Sequence, residues 1–348
     1  MGEMLRVGLI GYGYAGKTFH APLVAAVPGL RLAAVASSDP ARVRADWPGL
    51  PVEPSPEALI GRPDLDLVVV ATPNDTHAPL AGRALAAGRH VVVDKPFTVT
   101  LGEARALRDQ AAATGRLLSV FHNRRWDADF LTVQRLIAGG ELGDVVAFES
   151  HFDRYRPAVR ARWRELAGPG SGVWYDLGPH LLDQALRLFG PPEAIWADVA
   201  AQRDGAVTDD YFHAQLRYGP MRAILHASML VPAVGPRLVV HGTRGSYVKY
   251  GLDPQEDALK AGERPPVAGW GEDPSPGALT VWAGEAAETR ALPSLPGDYP
   301  AYYAAVRDAI LEAGPNPVPP DEAIAVMELI ELGRRSSDER RELPYAAG

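Results

Sequence analysis

At 348 residues, with 47% hydrophobic and 22% charged side chains, the chain has the composition of an ordered globular protein and exceeds the size at which one core keeps growing, so two domains are expected. A net charge of −8 argues against a nucleic-acid partner, which needs a basic face to meet phosphates. The absence of cysteine excludes disulfides, thiolate nucleophiles and cysteine-ligated metals and fits a cytoplasmic protein; no other metal site is read from the sequence.

The chain opens on a short branched apolar run, residues 5–10, with no charged and apolar leader ahead of it, so no secretory signal is expected. A glycine-rich turn and a helix-like stretch through Leu23 to Val27 follow, then a second strand at 30–36. Asp39-Pro40 reads as an N-cap with proline at the first helical position. A third clear strand at 67–71 ends in Thr72-Pro73-Asn74. Thr76 is placed to cap the helix that carries Leu80, Ala84 and Leu85, and Gly88 stops it. Residues 90–93 form the next strand, 101–113 a helix and 117–121 another strand. Continuous apolar strands separated by helices predict a parallel sheet covered on both faces.

The texture changes after His122. Helical patterns at 130–137 and 177–188 are followed by alternating runs at 194–200, 211–217, 222–229, 237–241 and 246–250, the signature of antiparallel strands with one buried face. Residues 251–276, rich in proline, glycine and charge, read either as a long ordered loop or lid or as a mobile surface insertion. Two helices, 299–312 and 321–335, close the pattern. The division predicted is 1–122 and 123–348. The longest apolar runs, such as 65–71, are too short to span a bilayer, so no membrane partner is expected.

Gly11-Tyr12-Gly13-Tyr14-Ala15-Gly16 fits G-x-G-x-x-G, and it directly follows a strand and opens a helix. In that context the first glycine permits the tight turn, the second lets a pyrophosphate approach the backbone, and the third lets helix and strand pack closely. A helix N-terminus then offers unpaired N–H groups to the phosphates. The second strand should end in an acid if the cofactor is NAD. Here it ends in Ser37-Ser38-Asp39, which leaves room for a 2′-phosphate but sets no arginine directly beside it; NAD and NADP both stay open.

Ligands of open α/β sheets bind beyond the carboxyl ends of the strands. Thr72, Pro73, Asn74 and His77 follow one such end, and Asn74 and His77 are placed to hydrogen-bond the nicotinamide ribose. Asp94-Lys95-Pro96 follows the next. A lysine there polarises or protonates an alcohol oxygen, and proline fixes the turn. Asp176 and His180 are four apart and share a helix face, and a carboxylate beside an imidazole suits a general base. Gly178 and Pro179 place the helix start nearby, which would make Asp176 an N-cap, and Asp183 continues the face as a structural or supporting group. Asn123, Arg124 and Trp126, with Arg154, Tyr155 and Trp163 further on, supply donors and flat faces for a polyhydroxylated ligand, or else a domain or subunit interface.

Taken together, these motifs resemble the glucose–fructose oxidoreductase / inositol dehydrogenase / MocA (Gfo/Idh/MocA) family across essentially the full length. The carrying residues are Gly11, Gly13 and Gly16, then Asp94-Lys95-Pro96 where the family usually has Glu-Lys-Pro, and Asp176-x-Gly178-x-His180-x-x-Asp183. Residues 121–127, 151–157 with Trp163-Arg164, and 247–255 look like the scyllo-inositol dehydrogenase subgroup. The resemblance implies an α/β protein: an N-terminal Rossmann domain and a C-terminal α/β domain with a large, mostly antiparallel, open-faced sheet that commonly makes subunit contacts in a homo-oligomer, dimer or tetramer. It implies an NAD(P)-dependent oxidoreductase acting on a cyclic polyol or sugar, with Lys95 holding the reacting oxygen, His180 moving the proton and Asp176 as its partner. A reductase of another sugar, sugar phosphate or imine, and a cofactor-sensing binding protein, are the alternatives.

Overall fold

The computed structural model describes residues 4–160, 165–233 and 235–346. It divides into two compact units whose segments interleave along the chain. The first comprises Met1–Asn123, Gln255–Trp270 and Asp298–Ile324; the second comprises Arg124–Pro254, Gly271–Gly297 and Ala325–Gly348.

The first unit is built on six strands: β1 Leu5–Ile10, β2 Leu30–Ala36, β3 Val52–Glu53, β4 Leu67–Val70, β5 His90–Asp94 and β6 Leu118–Phe121. They lie in the order β3-β2-β1-β4-β5-β6, and every pairing is parallel. Burial on both faces explains why β4 is Leu-Val-Val-Val with no polar side chain. From β1 the chain winds outward in both directions, so the ends of β1 and β4 form the point where the strand order reverses, the usual place for a ligand. Asp39 caps the helix Pro40–Asp46, accepting from Arg42 N at 3.1 Å, as its sequence predicts. Thr76 holds the N-cap position of the helix His77–Ala86 but makes no side-chain cap. Its hydroxyl donates instead to Pro73 O, 2.7 Å away, within the tight turn Asn74–Thr76.

In the second unit nine strands form one sheet: β7 Val145–His151, β8 Ala194–Ala200, β9 Tyr211–Tyr218, β10 Met221–Ser228, β11 Leu238–Gly242, β12 Gly245–Lys249, β13 Gly277–Ala283, β14 Ala286–Leu292 and β15 Leu343–Pro344. The order is β14-β13-β12-β11-β7-β10-β9-β8-β15, antiparallel except for the β7–β10 pair. One face carries the core, with Phe148, Phe212, Leu216, Leu225, Val240 and Tyr247 packed against Trp174, Leu181 and Ile330. Strands β9 and β10 alternate buried and half-exposed residues, so the other face stays open.

The helix Val173–Phe189 starts earlier than Gly178-Pro179 implied. Its first turn is held from outside: Asp209 Oδ2 accepts from Trp174 N at 2.7 Å, and Asp209 O accepts from Val173 N at 2.9 Å. Gly172 precedes it at φ 93°, and a Cβ there would lie 2.4 Å from the Asp209 carboxylate. Asp176 is therefore a first-turn residue rather than the N-cap, one turn before His180 on the same face.

Candidate functional site

The three glycines of the first turn have different explanations. Gly11 sits at φ 94°, and a Cβ on it would come within 2.3 Å of Ala71 O. On Gly16 a Cβ would lie 2.1 Å from Gly11 O. Both positions are closed by the protein's own backbone. A Cβ on Gly13 would meet no atom within 4 Å among the described residues, so none of them requires glycine there. That open space is what a close approach of pyrophosphate to backbone needs, so the turn fits a dinucleotide. Tyr12 is buried and donates to Asp46 Oδ2 at 2.9 Å, while Lys17 pairs with the same carboxylate at 2.7 Å. Tyr14 stands exposed against the edge of Phe19 and donates to Glu256 Oε1 at 2.6 Å; partial burial and the Glu256 carboxylate push its phenol up to about 12. Glu256 lies on the helix Gln255–Lys260, so residues 251–276 carry secondary structure that reaches the turn.

At the end of β2 the Ser37 hydroxyl accepts from Asp39 N at 3.1 Å, and Ser38 is exposed. With Asp39 capping its helix, no carboxylate occupies the position directly after the strand.

Thr72, Pro73 and Asn74 follow β4, and Asp94 ends β5 with Lys95 after it, on the same edge of the sheet as the glycine turn, because β1, β4 and β5 are parallel neighbours. Asn74 is buried. Asp94 Oδ1 accepts from Lys95 N at 2.8 Å, and the Lys95–Pro96 peptide is cis. His77 corrects the expectation placed on it. It is fully buried, and its two ring nitrogens face Pro96 O at 2.9 Å and Thr72 O at 3.0 Å. A neutral imidazole donates to one of these carbonyls, and burial holds its pKa below the usual range. His77 is therefore packed between the two turns, with its nitrogens facing their carbonyls rather than a ribose.

In the second unit His180 is almost wholly buried and Asp176 half-buried. Gly178 lets the helix approach Ile330, since a Cβ would sit 3.1 Å from that side chain and from the Trp174 ring. Asp183 forms a buried two-pronged pair with Arg125, at 2.5 and 2.9 Å. Arg124 donates to Asp127 Oδ2 at 3.2 Å, and its guanidinium lies 4.8 Å from the Phe152 ring centre. Arg154 and Arg237 approach the same ring at 4.8 and 5.3 Å. Asn123 and Trp126 belong to the short turn Asn123–Trp126, with Asn123 buried and Trp126 half-buried, while Tyr155 is exposed. Trp163 lies outside the described residues.

Two family models match the chain: "Oxidoreductase family, NAD-binding Rossmann fold" over residues 5–122 and "Oxidoreductase family, C-terminal alpha/beta domain" over 134–346. The chain belongs to the Gfo/Idh/MocA oxidoreductase family. Among its relatives is the uncharacterized oxidoreductase YdgJ of Escherichia coli, 60% identical over 99% of this chain and 100% of its own length. Another is the scyllo-inositol 2-dehydrogenase (NADP(+)) IolW of Bacillus subtilis, 42% identical over 97% of this chain and 95% of its own. A solved structure from Yersinia pestis, 58% identical, superimposes with a TM-score of 0.97 over 100% of this chain and 99% of the other.

As a Gfo/Idh/MocA member the chain has an NAD-binding Rossmann domain, for which its relatives' names give both NAD and NADP. Sequence patterns missed the support beneath the Asp94-Lys95-Pro96 turn. His20 is fully buried, with Nδ1 2.6 Å from Tyr303 Oη and Nε2 3.8 Å from Asp94 Oδ1, and its ring lies 4.4 Å from that of Phe121. Burial pushes the Asp94 carboxyl up, but the neighbouring His20 and Lys95 side chains outweigh it and hold the group below the usual carboxylate range. The one sequence signal for this network is a histidine on an otherwise apolar helix face.

Proposed function

We propose that this protein is a cytoplasmic, NAD(P)-dependent dehydrogenase of CH–OH groups whose substrate is a cyclic polyol or sugar, with the inositol/inosose pair first. The observation that carries the proposal is the position of Lys95 at the carboxyl end of β5, two strands from the glycine turn whose Gly13 faces open space. The name of the IolW relative supports the substrate class.

A nicotinamide cofactor held by the Gly11–Gly16 turn would supply the hydride acceptor in oxidation and the hydride donor in reduction. Lys95 donates from its ammonium to the reacting oxygen and holds the carbinol in place. His180 takes the hydroxyl proton as the carbon loses hydride, and returns one in the reverse direction. Asp176, one helical turn earlier on the same face, is its partner and orients the imidazole. Asn123, Arg124, Trp126, Arg154, Tyr155 and Trp163 form the polyol contacts.

Between the two cofactors we place NADP first, because Ser37 stands where an acid would hold the free 2′-hydroxyl and Asp39 is engaged as a cap. Self-association through the open face of the nine-stranded sheet is part of the same proposal.

The test is nicotinamide absorbance with a panel of inositols and sugars under each cofactor. Turnover with NADP and an inositol is expected, with Lys95→Ala and His180→Ala inactive yet still binding cofactor. Normal turnover in both variants overturns the assignment. Ser37→Asp is expected to shift the kcat/KM ratio toward NAD.

A further inference from the structure

The open face of the nine-stranded sheet gathers a set of side chains that the dehydrogenase chemistry does not use. Glu149, His151 and Asp153 alternate along one edge of a single chain run, so they share a face. Strands β7 and β10 are parallel neighbours with His151 and His226 as register partners, which puts the two imidazoles side by side, ring centres 5.4 Å apart. Asp153 lies between them. Its Oδ1 is 2.8 Å from His226 Nδ1 and its Oδ2 is 3.8 Å from His151 Nδ1. One ligand atom from each of the three residues falls within 4.8 Å of the others.

We propose that His151, Asp153 and His226 form a binding site for a divalent transition-metal ion, zinc in first place, on the open face of the sheet. Two imidazoles and a carboxylate are the borderline nitrogen and oxygen donors that zinc takes, and three protein ligands leave one tetrahedral position for water. The surroundings match what a metal site requires. Glu149 Oε2 lies 3.2 Å from His151 Nε2, so it accepts that proton and leaves Nδ1 turned toward Asp153. Ser228 N donates to Asp153 Oδ1 at 3.0 Å and fixes the carboxylate. The side chains keep 25%, 7% and 18% of their surface exposed, for His151, Asp153 and His226 in turn, so an ion has a path in. A separation of 3.8 Å exceeds a hydrogen bond and closes by a few tenths of an ångström to the spacing of two ligands on one zinc ion. No metal site is legible in the linear sequence, because His226 is brought in only by the parallel register.

The test is zinc titration of chelator-treated, full-length protein against a chromophoric competitor, with each variant first checked for folding by its thermal transition. Wild type and His241→Ala, which removes another histidine of this sheet, are expected to take up one equivalent. Glu149→Gln should weaken uptake by about 10- to 100-fold, as loss of an outer carboxylate does, and His151→Ala and His226→Ala by more. Wild-type binding no tighter than that of the His151→Ala/His226→Ala double variant overturns the site. X-ray absorption on the zinc-loaded wild type reads the ligands without any substitution: two imidazoles support the site, and fewer overturn it.

Discussion

The two sheets use side chains in opposite ways. In the six-stranded parallel sheet both faces are buried, so the candidate site residues Gly11–Gly16, Thr72–Asn74 and Asp94–Lys95 stand at the strand ends. In the nine-stranded sheet one face is core and the other open, and distinctive groups such as His151, His213 and His226 lie on the face itself. Strand-end chemistry depends on backbone approach and tolerates no added atom. Face chemistry depends on register and tolerates graded change.

The sharpest break is expected at the glycine turn. Gly16→Val drives a side chain into Gly11 O and should cost more than about 4 kcal/mol in unfolding free energy. Gly13→Ala should leave the melting transition in place while cofactor affinity falls, because its Cβ meets no protein atom. Equal melting temperatures for the Gly13 and Gly16 variants would erase the distinction. Next in size is the buried pair Arg125–Asp183, where Asp183→Asn removes the carboxylate charge from a two-pronged buried pair and should cost about 3–5 kcal/mol by denaturant titration.

His77→Gln tests the strand ends by pH. The folded-state pKa of His77 lies below the unfolded value of about 6.5, so its contribution is complete above that pH and is lost as pH falls through the folded value. The variant should lose about 1–2 kcal/mol at pH 8, a gap that narrows toward about pH 5. A gap that widens on acidification contradicts the burial of a neutral ring. The smallest effect belongs to the second sheet's β13, one strand in from its edge: Trp282→Ser, at a side chain 61% exposed, should change stability by no more than about 0.5 kcal/mol. Light scattering on the same variant reads whether self-association weakens.

Five of the six strands in the first sheet were legible because burial on both faces writes an unbroken apolar run, as in Leu67–Val70, whereas the half-buried two-residue β3, Val52–Glu53, has no such run. The second sheet's β8 to β12 were legible from alternation. Strand β7 was not, since Val145 to His151 mixes apolar and polar residues on a face that is only half-covered. The hairpin β13–β14 escaped as well, because every described residue of β14 but its last is exposed and carries no buried stripe. The start of the helix at Val173 was hidden because its first turn is satisfied by Asp209, far away in sequence. Lys95, Asp176 and His180 were legible as motif residues. His20, Tyr303 and the His151–Asp153–His226 group were not, since only tertiary contacts unite them.

The interleaving of the units has a consequence for biosynthesis. Strand β6 is the last of its sheet, and what lines it comes late in the chain: Val318 O accepts from Val120 N, Asn316 donates to Leu118 O, and Tyr302 donates to Ser119. A ribosome that has released only the first 123 residues has made the cofactor turn but not the cover of this edge. Phe121 and His20 then lack Tyr302 and Tyr303, and an unpaired strand edge stands open to other chains. The amino-terminal unit is complete only after residue 324 has emerged, when most of the carboxyl-terminal unit has been synthesised as well.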